Sequence, residues 1–195
     1  MMNLTTKEKL VKVTMDIIAE EGLHNLTNRK IASKAGLNSA AINYHFGSQG
    51  ALIDEALKTM TDQLREAYLN LQDSNEAIEI KLKVFIQKFI EISYKYPAII
   101  KNTVDRLIHE TPFDYYSDWM LFIQNQGIDI VKQTIMQLKP DSDENIAYLK
   151  TLHLLSCLSF PFLMGERLEQ IMKVDLSNKQ IREMYENLIL NLFVK

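Results

Sequence analysis

Apolar residues recur at helical spacing almost throughout the chain. Leu10, Thr14, Ile17 and Ile18 mark one face of a first helix over residues 6–21, with Gly22 placed to end it. Leu26 and Thr27 lead into a short helix over 28–34, with Thr27 in the N-cap position. Ala35-Gly36-Leu37 breaks that helix, and a second short one runs from Asn38 or Ser39 to His45, ending near Gly47. Ser48 is placed to cap a long fourth helix whose stripe is Leu52, Ile53, Ala56, Leu57, Met60, Leu64, Tyr68 and Leu71. Further helices are predicted over 76–95, 97–110, 113–138, 143–172 and 177–193, and Pro161 inside one of them should kink it. There is no convincing period-two segment and no Asn-Gly or Asp-Gly hairpin turn, so the predicted fold is all-α.

Glycine and proline divide the chain. Four of its six glycines (Gly22, Gly36, Gly47, Gly50) fall in the first 50 residues, and all four prolines lie beyond residue 95. Short helices punctuated by glycine give way to long ones punctuated by proline. The expected organisation is a small three-helix domain over 1–52, a fourth helix over 48–71 that links onward, and a larger helical domain over 53–195. With 47% hydrophobic residues and a net charge of −3, the 195-residue chain is no disordered segment. Cys157 is the one cysteine, which excludes an internal disulfide and fits a reducing compartment. MMNLTTKEKL carries no apolar core of a signal peptide. The most apolar stretch, Leu152 to Met164, is too short to span a bilayer and contains His153, Ser156, Ser159 and Pro161. A soluble cytoplasmic protein without a membrane partner is the expectation.

Local charge narrows the function. Between Glu21 and Asp54 no acid occurs, while Arg29, Lys30 and Lys34 do, an island of positive charge on an acidic chain. Within it, Thr27 to Phe46 reads TNRKIASKAGLNSAAINYHF. Ile31, Ala32, Ala35, Leu37, Ile42 and Phe46 can share one small core, and Gly36 can supply the positive φ of a tight turn between two crossing helices. That is the pattern of a helix-turn-helix. Its second helix projects Ser39, Ala40, Asn43 and Tyr44, small or polar groups that suit a major groove. Catalysis finds no support: the four histidines show no zinc-ligand spacing, there is no phosphate-binding glycine loop, and Cys157 reads as helix packing. No metal, no cofactor and no enzymatic activity are expected.

Residues 6–64 resemble the DNA-binding domain of the TetR family of transcriptional regulators, through Thr27, Arg29, Ile31-Ala32, Ala35-Gly36-Leu37, Ile42, Tyr44-His45-Phe46, Ser48 and Leu52. The resemblance implies a helix-turn-helix domain followed by a helical bundle for ligand binding and dimerisation. Thr27 and Asn28 would hold a phosphate with their helix terminus, and Arg29 would bind phosphate or a guanine edge. Ser39, Ala40 and Asn43 would face bases, while Tyr44 and His45 would donate to phosphates. The chain departs from the family at Ala40 and Asn43, and at Gln49, where a lysine is usual; Gln49 can donate a hydrogen bond but releases no counterion. The implied partners are double-stranded DNA with a palindromic operator, a second copy of the chain joined through the last two helices, and a small-molecule effector. For the interface, Ile181, Tyr185, Leu188 and Leu192, widened by Met184, Ile189 and Phe193, would meet Leu149, Leu152, Ser156, Cys157 and Phe160. For the effector, Arg106, His109, Tyr115, Tyr116, Trp119 and His153 are candidates, with Glu166 as a further polar anchor. The expected action is repression, relieved when the effector shifts the dimer away from DNA; the alternative is a DNA-binding regulator controlled by a protein partner.

Overall fold

The first helix, α1 (Thr6–Glu21), begins with a reciprocal cap: Thr5 Oγ1 accepts from the Glu8 amide, and Glu8 Oε2 accepts from the Thr5 amide at 2.8 Å. The computed structural model describes residues 4–72, 75–109, 117–141 and 143–194. Leu10, Thr14, Ile17 and Ile18 form the buried face of α1, and the Thr14 hydroxyl is satisfied by the Leu10 carbonyl at 2.8 Å. Gly22, at φ 84°, stops the helix. Next come α2 (Asn28–Ala35), α3 (Ala40–Phe46) and α4 (Gln49–Leu69). Gly36 sits at φ 64°, ψ 36°, and the Leu37 amide reaches back to the Ala32 carbonyl, which closes α2 with a left-handed cap. Ile31, Ala32, Ala35, Ile42 and Leu52 bury against α1 as the pattern predicts.

Beyond α4 the chain forms α5 (Ile78–Lys95), α6 (Pro97–His109), α7 (Ser117–Phe122), α8 (Ile128–Leu138), α9 (Glu144–Met164), α10 (Arg167–Met172) and α11 (Lys179–Val194). Helix α4 packs on α1 at one end and on α5 at the other, α8 lies on α9, and α11 lies on α5. Lys132 of α8, its side chain only 7% exposed, clamps this pair by reaching Glu144 at 3.0 Å and the Tyr148 hydroxyl at 3.2 Å.

Two predicted helices are interrupted. The stretch expected as one helix over 113–138 contains a π-helical turn at Ile123–Gly127 between α7 and α8, and residues 110–116 lie outside those described. A β-carbon on Gly127 would stand 3.1 Å from Ile123 and 3.6 Å from the Tyr68 ring, so the bulge depends on a residue without one. The stretch expected over 143–172 divides at Gly165, whose φ of 56° and ψ of −134° suit no L side chain. The apolar spacing runs on to Leu168 and hides that stop.

Pro161 leaves α9 continuous to Met164, but its missing N–H orphans the Cys157 carbonyl one turn earlier. Tyr185 of α11 fills the gap: its hydroxyl donates to the Cys157 carbonyl at 2.5 Å. Burial pushes the Tyr185 hydroxyl up to about 12, so this donor keeps its proton through the physiological range. Tyr185→Phe should cost about 1–2 kcal/mol in urea unfolding at fixed protein concentration, since a buried carbonyl loses its partner. In a Pro161→Ala background the restored backbone N–H takes over, and the same substitution should cost less than half as much; equal costs in both backgrounds would refute the pairing.

Candidate nucleic-acid interface

Helix α3 is seven residues long, and Ile42 is the residue it buries completely. Ser39, Ala40, Asn43 and Tyr44 are exposed, Tyr44 by 85%. The Tyr44 ring meets the neighbouring His45 edge-on at 4.9 Å rather than entering the core. Asn38 supplies the first cap of α3, its Oδ1 accepting from the Ala41 amide at 3.1 Å, while Ser39 makes no capping hydrogen bond.

Two helix N-termini flank α3. Thr27 caps α2 by accepting from the Lys30 amide at 3.2 Å, and Ser48 caps α4 by accepting from the Ala51 amide at 3.1 Å. Gln49 Nε2 donates to the Leu26 carbonyl at 3.2 Å, tying the start of α4 to the chain just before α2. Gln49 thus holds the two termini together, a role its sequence position did not reveal. Asn28 is half-buried and its Oδ1 is enclosed without a hydrogen-bond partner, so a phosphate bond from Asn28 would come from Nδ2 or the main-chain N–H. Arg29 is exposed.

The positive island is smaller than the sequence implies. Lys30 pairs with Glu21, and Lys34 pairs with Glu20 at 2.6 Å, so two of its three cations face acids at the end of α1. The bond from Glu20 raises the Lys34 pKa above its ordinary value. Counting acids between residues 22 and 53 missed these partners because they lie just outside that window. Two cations that sequence reasoning passed over lie beside the helix-turn-helix instead. Lys7 of α1 stands with Nζ 5.4 Å from the Phe46 ring centre, and Lys9 Nζ lies 3.9 Å from where a β-carbon on Gly36 would be.

The residues expected around an effector are not brought together among those described. Trp119 is buried, donates from Nε1 to Thr103 Oγ1 at 2.9 Å, and stacks on Phe122 at 5.7 Å. Tyr68 joins them, 6.1 Å from Trp119 and 5.0 Å from Phe85, in an aromatic cluster. His153 is exposed on α9 with its ring 5.7 Å from Phe193. The side chains of Arg106 and His109, and all of Tyr115 and Tyr116, lie outside the described residues. A half-open cleft of about 250 Å³ lies elsewhere, between Tyr94, Pro97, Pro161, Phe162 and Leu168, and Glu166 is at its edge. Pro97 also borders a second cleft, between the end of α1 and the start of α6.

Helices α9 and α11 present one apolar surface. Leu149, Leu152 and Phe160 on α9 and Met184, Leu188 and Leu192 on α11 are all more than half exposed. Ile189 and Phe193, expected to widen this stripe, instead bury inside the chain, and Tyr185 turns toward Cys157.

Residues 10–56 match the model of the family described as bacterial regulatory proteins, tetR family. The chain is 27% identical over 145 residues to the HTH-type transcriptional repressor KstR2 of Mycobacterium tuberculosis, covering 72% of each chain. It is 34% identical over 64 residues to the HTH-type transcriptional regulator BetI of Klebsiella pneumoniae, covering 33% of each. Among solved structures it is similar to the ketosteroid transcriptional regulator KstR2 of Mycobacterium tuberculosis, with a TM-score of 0.67, 22% identity and coverage of 100% of this chain and 97% of that one. A TetR transcriptional regulator from Legionella pneumophila aligns with a TM-score of 0.65 at 15% identity over 99% and 100%. Residues 10–56, with their exposed α3 between two capped helix termini, thus match the N-terminal domain of the tetR family, and the chain as a whole shares the fold of these solved regulators.

Proposed function

We propose that the chain is a dimeric transcriptional repressor that binds a palindromic operator through α3 and is released from it by a small molecule. The observation that carries the DNA-binding reading is the exposure of Asn43 and Tyr44 on a helix whose single deep anchor is Ile42. The major groove is wide enough for such a helix, and an asparagine can bond an adenine edge through both of its polar atoms. Thr27, Asn28, Tyr44 and His45 are positioned to bond phosphates around it, which fixes register without reading sequence. The names of the KstR2 relatives support repression.

One helix-turn-helix reads too few base pairs for useful specificity, so a dimer with half-sites about 34–36 Å apart is required. The exposed apolar faces of α9 and α11 supply its interface. A large apolar patch of this kind is otherwise rare on a monomer.

Effector control has a mechanical route. Helix α4 is 21 residues, about 30 Å, and connects the Gln49–Leu26 bond at one end to Tyr68 in the aromatic cluster at the other. Pro97 gives a second route, since it borders both the apolar cleft and the crevice against α1. Either shifts α3 relative to its partner and biases the dimer off DNA. The burial of Trp119 between Tyr68 and Phe122 favours a second reading, in which a protein partner exerts the control.

Asn43→Ala should relax specificity at one base position at a cost of about 1–3 kcal/mol, measured by gel shift on operators selected from random duplexes. Wild-type affinity and selectivity in that variant would discard the base-reading role. Arg29→Ala should flatten the salt dependence by about one unit if its contact is to phosphate. Leu152→Glu combined with Leu188→Glu should sediment as a monomer at micromolar concentration and bind operator on the order of 100-fold more weakly; an unchanged dimer would move the interface elsewhere.

A further inference from the structure

Apart from Arg29, the positive charge that a phosphate backbone needs is not where the sequence suggests. Lys30 and Lys34 face Glu21 and Glu20, and Gln49 brings no charge and already donates to Leu26. At the other end of α1 from Glu20 and Glu21, the helix carries Lys7 and Lys9, both exposed. The ammonium of Lys9 lies over the turn that precedes α3, and that of Lys7 lies over Phe46, the last residue of α3. One cation therefore stands at the turn between α2 and α3, and the other at the last residue of the seven-residue α3. Glu8, between them in sequence, is turned to the helix cap: its carboxylate accepts from the Thr5 amide and hydroxyl, each at 2.8 Å, and those bonds hold it below the usual carboxylate range and keep it ionised there.

A groove about 12 Å across sets a row of phosphates on either side of a helix seated in it. We propose that Lys7 and Lys9 of α1 are DNA-phosphate contacts that clamp α3 into the groove, replacing the charge lost at Gln49 and withheld by the Lys30–Glu21 and Lys34–Glu20 pairs. This rests on the DNA-binding reading above. It adds a positive strip on a helix outside the helix-turn-helix itself, and it assigns Lys30 and Lys34 to holding α2 against α1.

The test is the salt dependence of binding to a random-sequence duplex of about three helical turns, followed by fluorescence anisotropy, because each phosphate contact contributes about 0.9 to the slope of log K against log salt. Lys7→Gln with Lys9→Gln should lower the slope by about 3.6, since the dimer loses two cations in each protomer. Lys7→Arg with Lys9→Arg should keep it, which separates charge from fold. Lys30→Gln with Lys34→Gln should leave the slope unchanged. A wild-type slope in the Lys7 and Lys9 glutamine variant, with DNA binding intact, would overturn the clamp and leave the DNA-binding reading standing. A slope that falls only in the Lys30 and Lys34 variant would place the phosphates on α2 instead. No salt-sensitive binding by the wild-type protein would overturn both.

Discussion

A helix of seven residues held by one deep side chain must leave most of its surface outside. Ile42 is that side chain, fully buried on a helix that packs against α2 and α4. Ile31, Ala32 and Ala35 of α2 complete a core too small to enclose α3 as well. The exposure of Asn43 and Tyr44 is therefore a consequence of volume and not an accident of surface composition. The turn at Gly36 and the caps at Thr27, Asn38 and Ser48 then fix the direction in which that surface looks.

The rest of the molecule holds this element. Gln49 binds the Leu26 carbonyl, so α4 cannot tilt without carrying the start of α2 with it. At its far end α4 lodges Tyr68 in a packed ring cluster, and such interiors switch between arrangements rather than deforming smoothly. Helix α9 is apolar around its circumference, burying Leu154 and Leu158 inside while Leu152 and Phe160 face out. Its proline would leave a bare carbonyl in that setting, and Tyr185 of α11 removes the cost. The two helices that carry the exposed apolar residues are thereby stitched to each other.

Much of this was legible in the chain. The ends of α1, the cap of α2, the left-handed turn at Gly36 and the burial of Ile31 and Ile42 follow from local chemistry, and local chemistry is written in order along a sequence. The breaks at Ile123–Gly127 and Gly165 were not, because apolar spacing continues across both and the deciding contact is with Tyr68 or with the restart at Arg167. Charge was the least legible property. Lys30 and Lys34 read as free cations until Glu21 and Glu20 are seen beside them, and Lys7 and Lys9 read as part of an ordinary helix start until Phe46 and Gly36 are seen beneath them. Trp119 shows the same limit: helical spacing does not reveal that it is buried with its indole N–H bonded to Thr103.

The placement of α3 in the major groove is the claim on which the account stands, and methylation protection reads it directly. Dimethyl sulfate modifies guanine N7, which faces the major groove, and adenine N3, which faces the minor groove. With an operator selected from random duplexes, bound protein should shield guanine N7 in two half-sites about one helical turn apart while adenine N3 stays reactive. Shielding confined to adenine N3, or none at either position in a fully bound duplex, would contradict it.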